Sequence, residues 1–512
     1  MWKGPRVQIQ NSLGWIDVPN TSLSSLDCLL DVVTSTRENI SNTVLIGMGG
    51  SSLGARALID SSNLNDRIPI YFADSTNSSQ IRSLTQLVAP GKSLFIVSSK
   101  SGSTQETITL FKHFQNHVGN DVAIEAGGSK FVAITDQGSP LETIAKNHSF
   151  DATIFGQHDV GGRYSILTSF GIYPASVSGV KTKEILLGAI QESDHCREHI
   201  VDASTFLLVR YLSGCLKQSR DKLIIVADEP LSSLASWIEQ LISESLGKDG
   251  KGIIPVCGMD IEDLKYLGDD CAIVRLEYMS SFSAVEQSRK NYFNDLSENI
   301  PQPILYTQIA ESGDLGREIM KWEFGIAMLG SLIGVNPFDQ PQVEISKRLA
   351  SKAIKAHKNK DTTLPQIEEI DIEDVEDLLK SLERHNYMAF LAYLPRDKEN
   401  ERLLQILSGA VTRQCEVPVS VGFGPSYLHS TGQVHKGGPE SGVFVQLTTT
   451  DIGEKIEVPG EAFDFSFLNE ALADGDMAAL QELGKTVVRI NLGFDATLGI
   501  KKLIKIVEAS KN

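Results

Sequence analysis

Ser93-Leu94-Phe95-Ile96-Val97-Ser98-Ser99-Lys100-Ser101-Gly102-Ser103-Thr104-Gln105-Glu106-Thr107 begins as an apolar run of the kind a buried parallel strand shows, then turns abruptly into hydroxyls. From Thr107 onward Ile108, Leu110, Phe111 and Phe114 recur at helical spacing, so the hydroxyls fall between a strand and the start of a helix. The first N–H groups of a helix have no internal partner and sit at the positive end of its dipole. Short hydroxyl donors and a Gly that lets the backbone come close complete a cup that suits a phosphate monoester. An ordinary capped turn needs only one or two hydroxyls. Five of them around Lys100 and Gly102 favour the phosphate. A Walker motif is absent, which argues against a nucleoside triphosphate.

Working outward, Thr43-Val44-Leu45-Ile46 is a strand running into Gly47-Met48-Gly49-Gly50-Ser51-Ser52-Leu53-Gly54 and then a helix. A dinucleotide fingerprint needs its third glycine where Ser52 stands, which disfavours an oxidoreductase. Such glycines can also serve strand–helix packing alone. With strands at 68–72 and 131–135, residues 1–150 read as a doubly wound parallel sheet. Gly161-Gly162-Arg163-Tyr164-Ser165 can deliver a guanidinium into a cleft or form a structural ion pair. Strands at 223–227, 272–276 and 304–306 repeat the α/β plan, giving a second domain over 151–355. On the helix near Ser232, Trp237, Gln240 and Glu244 share a face, and Lys248 reads as a surface partner of Glu244. Residues 319–335 form a buried helix that stops at Asn336-Pro337-Phe338-Asp339-Gln340-Pro341, and the next helix carries Lys347. The acidic stretch 356–379 is expected as a linker. Residues 380–512 form a C-terminal α/β segment with strands at 387–394, 418–421, 442–447 and 487–492. Its loop Leu428-His429-Ser430-Thr431-Gly432-Gln433-Val434-His435-Lys436-Gly437-Gly438-Pro439 looks like a site, without the spacing of a zinc signature.

Composition narrows the function. The 512 residues carry 41% hydrophobic and 22% charged residues and a formal net charge of −18, which argues against nucleic acid or an anionic membrane as partner. The six cysteines are scattered, as free thiols in a reducing compartment are. Met1-Trp2-Lys3-Gly4-Pro5 opens no signal peptide and no apolar run reaches about 18 residues, so a cytoplasmic protein is expected.

Together the motifs resemble the phosphoglucose isomerase family. The loops 47–54, 99–107 and 161–165, the segment Glu244-Ser245-Leu246-Gly247-Lys248 with Gln240 one turn earlier, and 336–347 stand in the family's order. The histidine departs from it: Leu428-His429-Ser430-Thr431-Gly432-Gln433 follows Lys347, whereas most members place it between the Glu and Lys motifs. That order is similar to the isomerase half of transaldolase–isomerase fusions. The resemblance implies two sugar-isomerase-type (SIS) domains, a homodimer, no metal or organic cofactor, and interconversion of glucose 6-phosphate and fructose 6-phosphate. It implies a phosphate site at Ser99, Lys100, Ser101 and Thr104 with backbone help from Gly49, Gly50 and Ser51. Glu244 is the implied base, with Glu106 as the next candidate; Arg163 would stabilise a cis-enediolate, and His429 and Lys347 would open the ring. His435 competes with His429, and other hexose phosphates or a non-catalytic sugar-phosphate-binding regulator remain alternatives.

Overall fold

The computed structural model describes residues 2–62, 67–88, 91–119, 129–198, 203–279, 284–358, 369–450, 453 and 455–510. Three separate parallel sheets organise them. The first holds β1 (Asn42–Ile46), β2 (Ile70–Ala73), β3 (Ser93–Ser98), β4 (Lys130–Thr135) and β5 (Ala152–Phe155) in the order β2-β1-β3-β4-β5. The second holds β6 (Lys222–Ala227), β7 (Ile254–Cys257), β8 (Cys271–Tyr278) and β9 (Ile304–Ile309) in the order β7-β6-β8-β9. The third holds β10 (Tyr387–Tyr393), β11 (Val419–Phe423), β12 (Gly442–Thr448) and β13 (Thr486–Asn491) in the order β11-β10-β12-β13. Each sheet therefore starts one strand in from an edge, steps to that edge, then returns past the first strand. The C-terminal segment is thus a doubly wound unit with its own sheet.

The reason these residues make strands is burial on both faces. Every residue of β1, β3, β8 and β10 is buried, as the continuous apolar runs require. β7 tolerates Pro255 because it lies at a sheet edge. The helix Ser312–Ile333 is buried along most of its length; its inward Glu318 and Lys321 are matched to each other, while buried Glu323 keeps an Oε1 without a partner and burial raises its carboxyl well above the ordinary value. Lys321 donates to Glu318 at 2.7 Å and Thr307 at 2.8 Å, and Trp322 donates to Glu318 at 2.7 Å. Of the stretch expected as a linker, 359–368 lie outside the described residues. Glu369 pairs with Arg489 beside β13, and the helix Val375–Lys380 buries Val375 and Leu379 in the third unit's core.

The third unit docks where the helix Ser232–Leu246 ends. Gln433 donates to the Gly247 carbonyl at 2.9 Å, and the Gly250 N–H donates to the Gly437 carbonyl at 3.0 Å. The backbones are so close that a Cβ on Gly437 would lie 2.7 Å from the Gly247 oxygen. Gly437→Ala should therefore cost about 1–3 kcal/mol, the usual range for overpacking. Gly214→Ala, in the helix Ser204–Lys217 with open space around the new methyl, should instead stabilise by roughly 0.5–1 kcal/mol. Chemical denaturation of the two variants checks this opposite sign.

Candidate active site

Glu244 stands on the last turn of the helix Ser232–Leu246 and is 3% exposed. Three side chains hold its carboxylate. Arg163, on the 3₁₀ turn Gly162–Tyr164, brings Nε to 3.1 Å from Glu244 Oε2. Its other nitrogens donate to the carbonyls of Pro337 at 3.3 Å and Asp339 at 3.1 Å, and its own carbonyl accepts from Trp237 at 3.2 Å. Gln340 donates to Oε2 at 3.2 Å. Gln240, one turn before Glu244, donates to Oε1 at 3.1 Å and to the His429 carbonyl at 2.9 Å. Its buried Oε1 has no partner.

His429 reaches this place on the turn Ser426–His429, at the carboxyl end of β11. Its Nε2 lies 2.9 Å from Oε1 of Glu106, on the first turn of the helix Gln105–Gly119. The glycine loop is the seam of this meeting. A Cβ on Gly49 would lie 2.5 Å from the His429 carbonyl, and one on Gly50 would lie 2.1 Å from the Gly162 carbonyl. These glycines let three site loops converge, a tighter demand than strand–helix packing.

In the hydroxyl loop, Ser99 is buried and its Oγ lies 3.1 Å from that of Thr104, while Ser101 is exposed and accepts from Ser103 at 3.1 Å. Lys100 is held by Asp136 at 2.6 Å and the Gln157 carbonyl at 2.8 Å. The Ser51 N–H is taken up by the Met48 carbonyl at 3.2 Å. Gly102 has φ +64° and approaches Ser139 and Leu141.

Burial raises the Glu244 carboxyl above its ordinary value, opposed chiefly by Arg163. Lys248 is a correction: it is buried, contacts the Asn336 carbonyl, and pairs with Asp339 at 2.9 Å, not with Glu244 at a surface. Burial, reinforced by Arg163, lowers it to about 7. Lys347 lies on the helix Val343–Lys358, but its side chain is outside the described residues. Glu106, expected only as an alternative base, pairs instead with His429, and Gln340, which did not stand among the expected site residues, completes the contacts around Glu244.

His435 lies apart from Glu244 in these contacts. It is buried, lies 3.1 Å from the Tyr387 hydroxyl and packs on Tyr387 and Phe444, and burial lowers it to about 3.

A family model described as "Phosphoglucose isomerase" matches residues 31–253. Glucose-6-phosphate isomerase of Mycoplasmopsis pulmonis is 30% identical over 383 residues, covering 65% of this chain and 88% of the relative. The protein of the same name from Mesoplasma florum is 29% identical over 376 residues, with the same coverage. Among solved structures, a hypothetical protein from Thermus thermophilus superposes with a TM-score of 0.59 at 23% identity, covering 68% of this chain and 91% of its own. The parallel doubly wound sheets, with site loops at their strand ends, define an α/β protein of the sugar-isomerase type. The chain belongs to the phosphoglucose isomerase family.

The depressed His435 ties stability to pH. Unfolded, the imidazole takes a proton below about 6.5; folded, it resists until about 3. Its contribution is complete above 6.5 and is lost as the pH falls from there toward 3. Between pH 7 and pH 5 the wild type should lose about 2 kcal/mol more stability than His435→Phe, as urea titrations at both pH values would show.

Proposed function

We infer that this chain is an aldose–ketose isomerase, interconverting glucose 6-phosphate and fructose 6-phosphate. The observation that carries this reading is the buried carboxylate of Glu244, clasped by Arg163, Gln240 and Gln340, with His429 brought to the same cleft by the third sheet. A coupled assay of the purified chain in both directions tests it, and no turnover of either sugar would leave the regulatory binder as the reading.

In the proposed mechanism the sugar phosphate is held at Ser99, Ser101 and Thr104, with Lys100 and the Gly49, Gly50 and Ser51 backbone lining the same strand ends. Glu244 removes a proton from C2 of the aldose and returns it to C1, and acts in reverse for the ketose. Its raised affinity for protons, from burial, suits a group that must both accept and give one. The cis-enediolate formed between these steps develops negative charge beside Arg163, which is already oriented by two carbonyls. His429, paired with Glu106, and Lys347 act as the acid and base that open the ring. The spare Oε1 of Gln240 can accept from a sugar hydroxyl.

The division into 1–150, 151–355, a linker over 356–379 and 380–512 is part of this proposal, supported by one sheet in each large unit. So is kinship with the isomerase half of transaldolase–isomerase fusions, supported by His429 following the 336–347 motif on its own sheet. Replacing 380–512 by the matching part of such a fusion should then preserve turnover. The homodimer rests on the family resemblance, and light scattering at twice the chain mass would support it. Among the described residues no helix is long and apolar enough to cross a membrane, and a cytoplasmic location is proposed on composition.

Glu244→Gln keeps the hydrogen-bonded shape and removes the base. Its kcat should fall by roughly 10²–10⁴, the usual share of a general base, while the sugar phosphate still binds. Exchange of the C2 proton with solvent should stop; exchange at the wild-type rate would move the base to another residue.

His429→Ala should slow turnover of the cyclic substrate far more than proton exchange on its open-chain fraction. His435→Ala should affect that ratio less, because its ring lies against Tyr387 and Phe444. The two rates, measured by coupled assay and by deuterium exchange in NMR, separate ring opening from proton transfer.

A further inference from the structure

A cavity of about 800 Å³ lies at the carboxyl ends of the third sheet, bounded by Tyr393, Thr448 and Asn491, the last residues of β10, β12 and β13. β10 and β12 flank the point where the chain reverses its direction of travel across the sheet, and open α/β sheets bind ligands at such a crevice. None of its described lining residues belongs to the Glu244 site. Its far wall comes from the first unit, tied on by Thr76–Asn469 at 3.0 Å and Ser78–Ser466 at 2.7 Å.

Arg489 marks the cavity as a built site. It is 6% exposed, its Nε donates to Gln446 at 2.6 Å and its Nη1 lies 2.8 Å from Asp474. Its Nη2 is buried with no partner, and an unmatched guanidinium donor in the interior is costly unless a ligand meets it. Around it stand neutral hydrogen-bonding groups, the hydroxyls of Thr448 and Thr449 and the amides of Asn469 and Asn491. Glu470 adds an acceptor, and Phe467 an apolar wall. Lys455 is engaged by Asp464 at 3.0 Å and Arg489 by Asp474; with Arg82 the described wall carries three basic side chains against the four acidic ones Glu369, Glu457, Asp464 and Glu470.

From this chemistry we propose that the crevice of the third sheet binds a neutral polyhydroxylated small molecule, a free sugar of one or two rings, at a site separate from the isomerase cleft. Hydroxyls match the mixed donors and acceptors, whereas a phosphate dianion would meet uncompensated carboxylates. The volume admits one or two sugar rings.

The test is calorimetric titration of the full-length protein with glucose, ribose, maltose and trehalose. At least one should bind saturably. Thr449→Val combined with Asn491→Ala should weaken that binding roughly tenfold or more, the effect of losing one or two hydrogen bonds, and should leave isomerase turnover unchanged. Arg489→Lys, checked for native circular dichroism, should weaken it similarly by removing the spare Nη2 donor. Ser101→Ala with Thr104→Ala, which acts in the isomerase cleft, should leave it intact. Failure of all four sugars to bind overturns the proposal. So does binding lost with the Ser101/Thr104 pair, which would place the sugar in the isomerase cleft. Binding of glucose 6-phosphate at the Thr449–Asn491 site with no neutral sugar would overturn the ligand class. None of the binding results depends on whether the chain turns over glucose 6-phosphate.

Discussion

The buried pair of Arg163 and Glu244 is the constraint around which the rest is arranged. Taking two charges out of water costs several kcal/mol per ion, and their attraction offsets this only where the remaining polar atoms are matched. Here the matching is supplied by chain segments far apart in sequence. The Pro337 and Asp339 carbonyls take the outer guanidinium nitrogens, and Gln240 and Gln340 donate to the carboxylate. Gln240 then directs a second N–H to the His429 carbonyl, so the pair's hydrogen bonds reach the third sheet as well. The second unit thus supplies the pair and its direct partners, and the third is joined to it through Gln240. Loss of any of these partners would leave a charge there without its counterweight.

Much of the fold was legible because burial writes itself into local composition. Residues 94–97 and 223–227 are continuous apolar runs, and each lies in an interior strand. β5 and β7 escaped notice for the opposite reason. They are four residues each, β5 is only half-buried, and Pro255 masks β7. The alternation of strands and helices also sufficed to place four strands in the C-terminal segment. It could not show that they form an independent sheet whose order matches the others, since pairing order has no local signature.

The site was legible in its motifs and less so in its contacts. Glu106 lies inside the quoted hydroxyl stretch, yet its partner His429 stands 323 residues away. Gln340 lies inside the stretch 336–341, and nothing nearby in sequence indicates that it turns toward Glu244. Lys248 misled because the i,i+4 spacing to Glu244 describes a free helix. The helix ends at Leu246, and the chain that follows carries Lys248 inward against Asp339. His429 and His435, six positions apart in one loop, part company because the turn ending at His429 exposes one ring to the cleft while the following helical turn packs the other against aromatic rings.

The link from Gln240 to the His429 carbonyl spans 189 residues, and that separation gives the site a birth order on the ribosome. At about 5–20 residues per second, translation adds the second partner roughly 10–40 s after the first. During that interval the nascent chain can assemble its first sheets, with Glu244 already facing Arg163, yet the cleft stands without its histidine. The face of the helix Ser232–Leu246 that will receive Gln433 and Gly437 is open to water and to chaperones for the same time. His429 therefore joins Gln240 and Glu106 only after residues 380–512 have been made, and in the proposed mechanism a chain stopped before them would lack its ring-opening histidine.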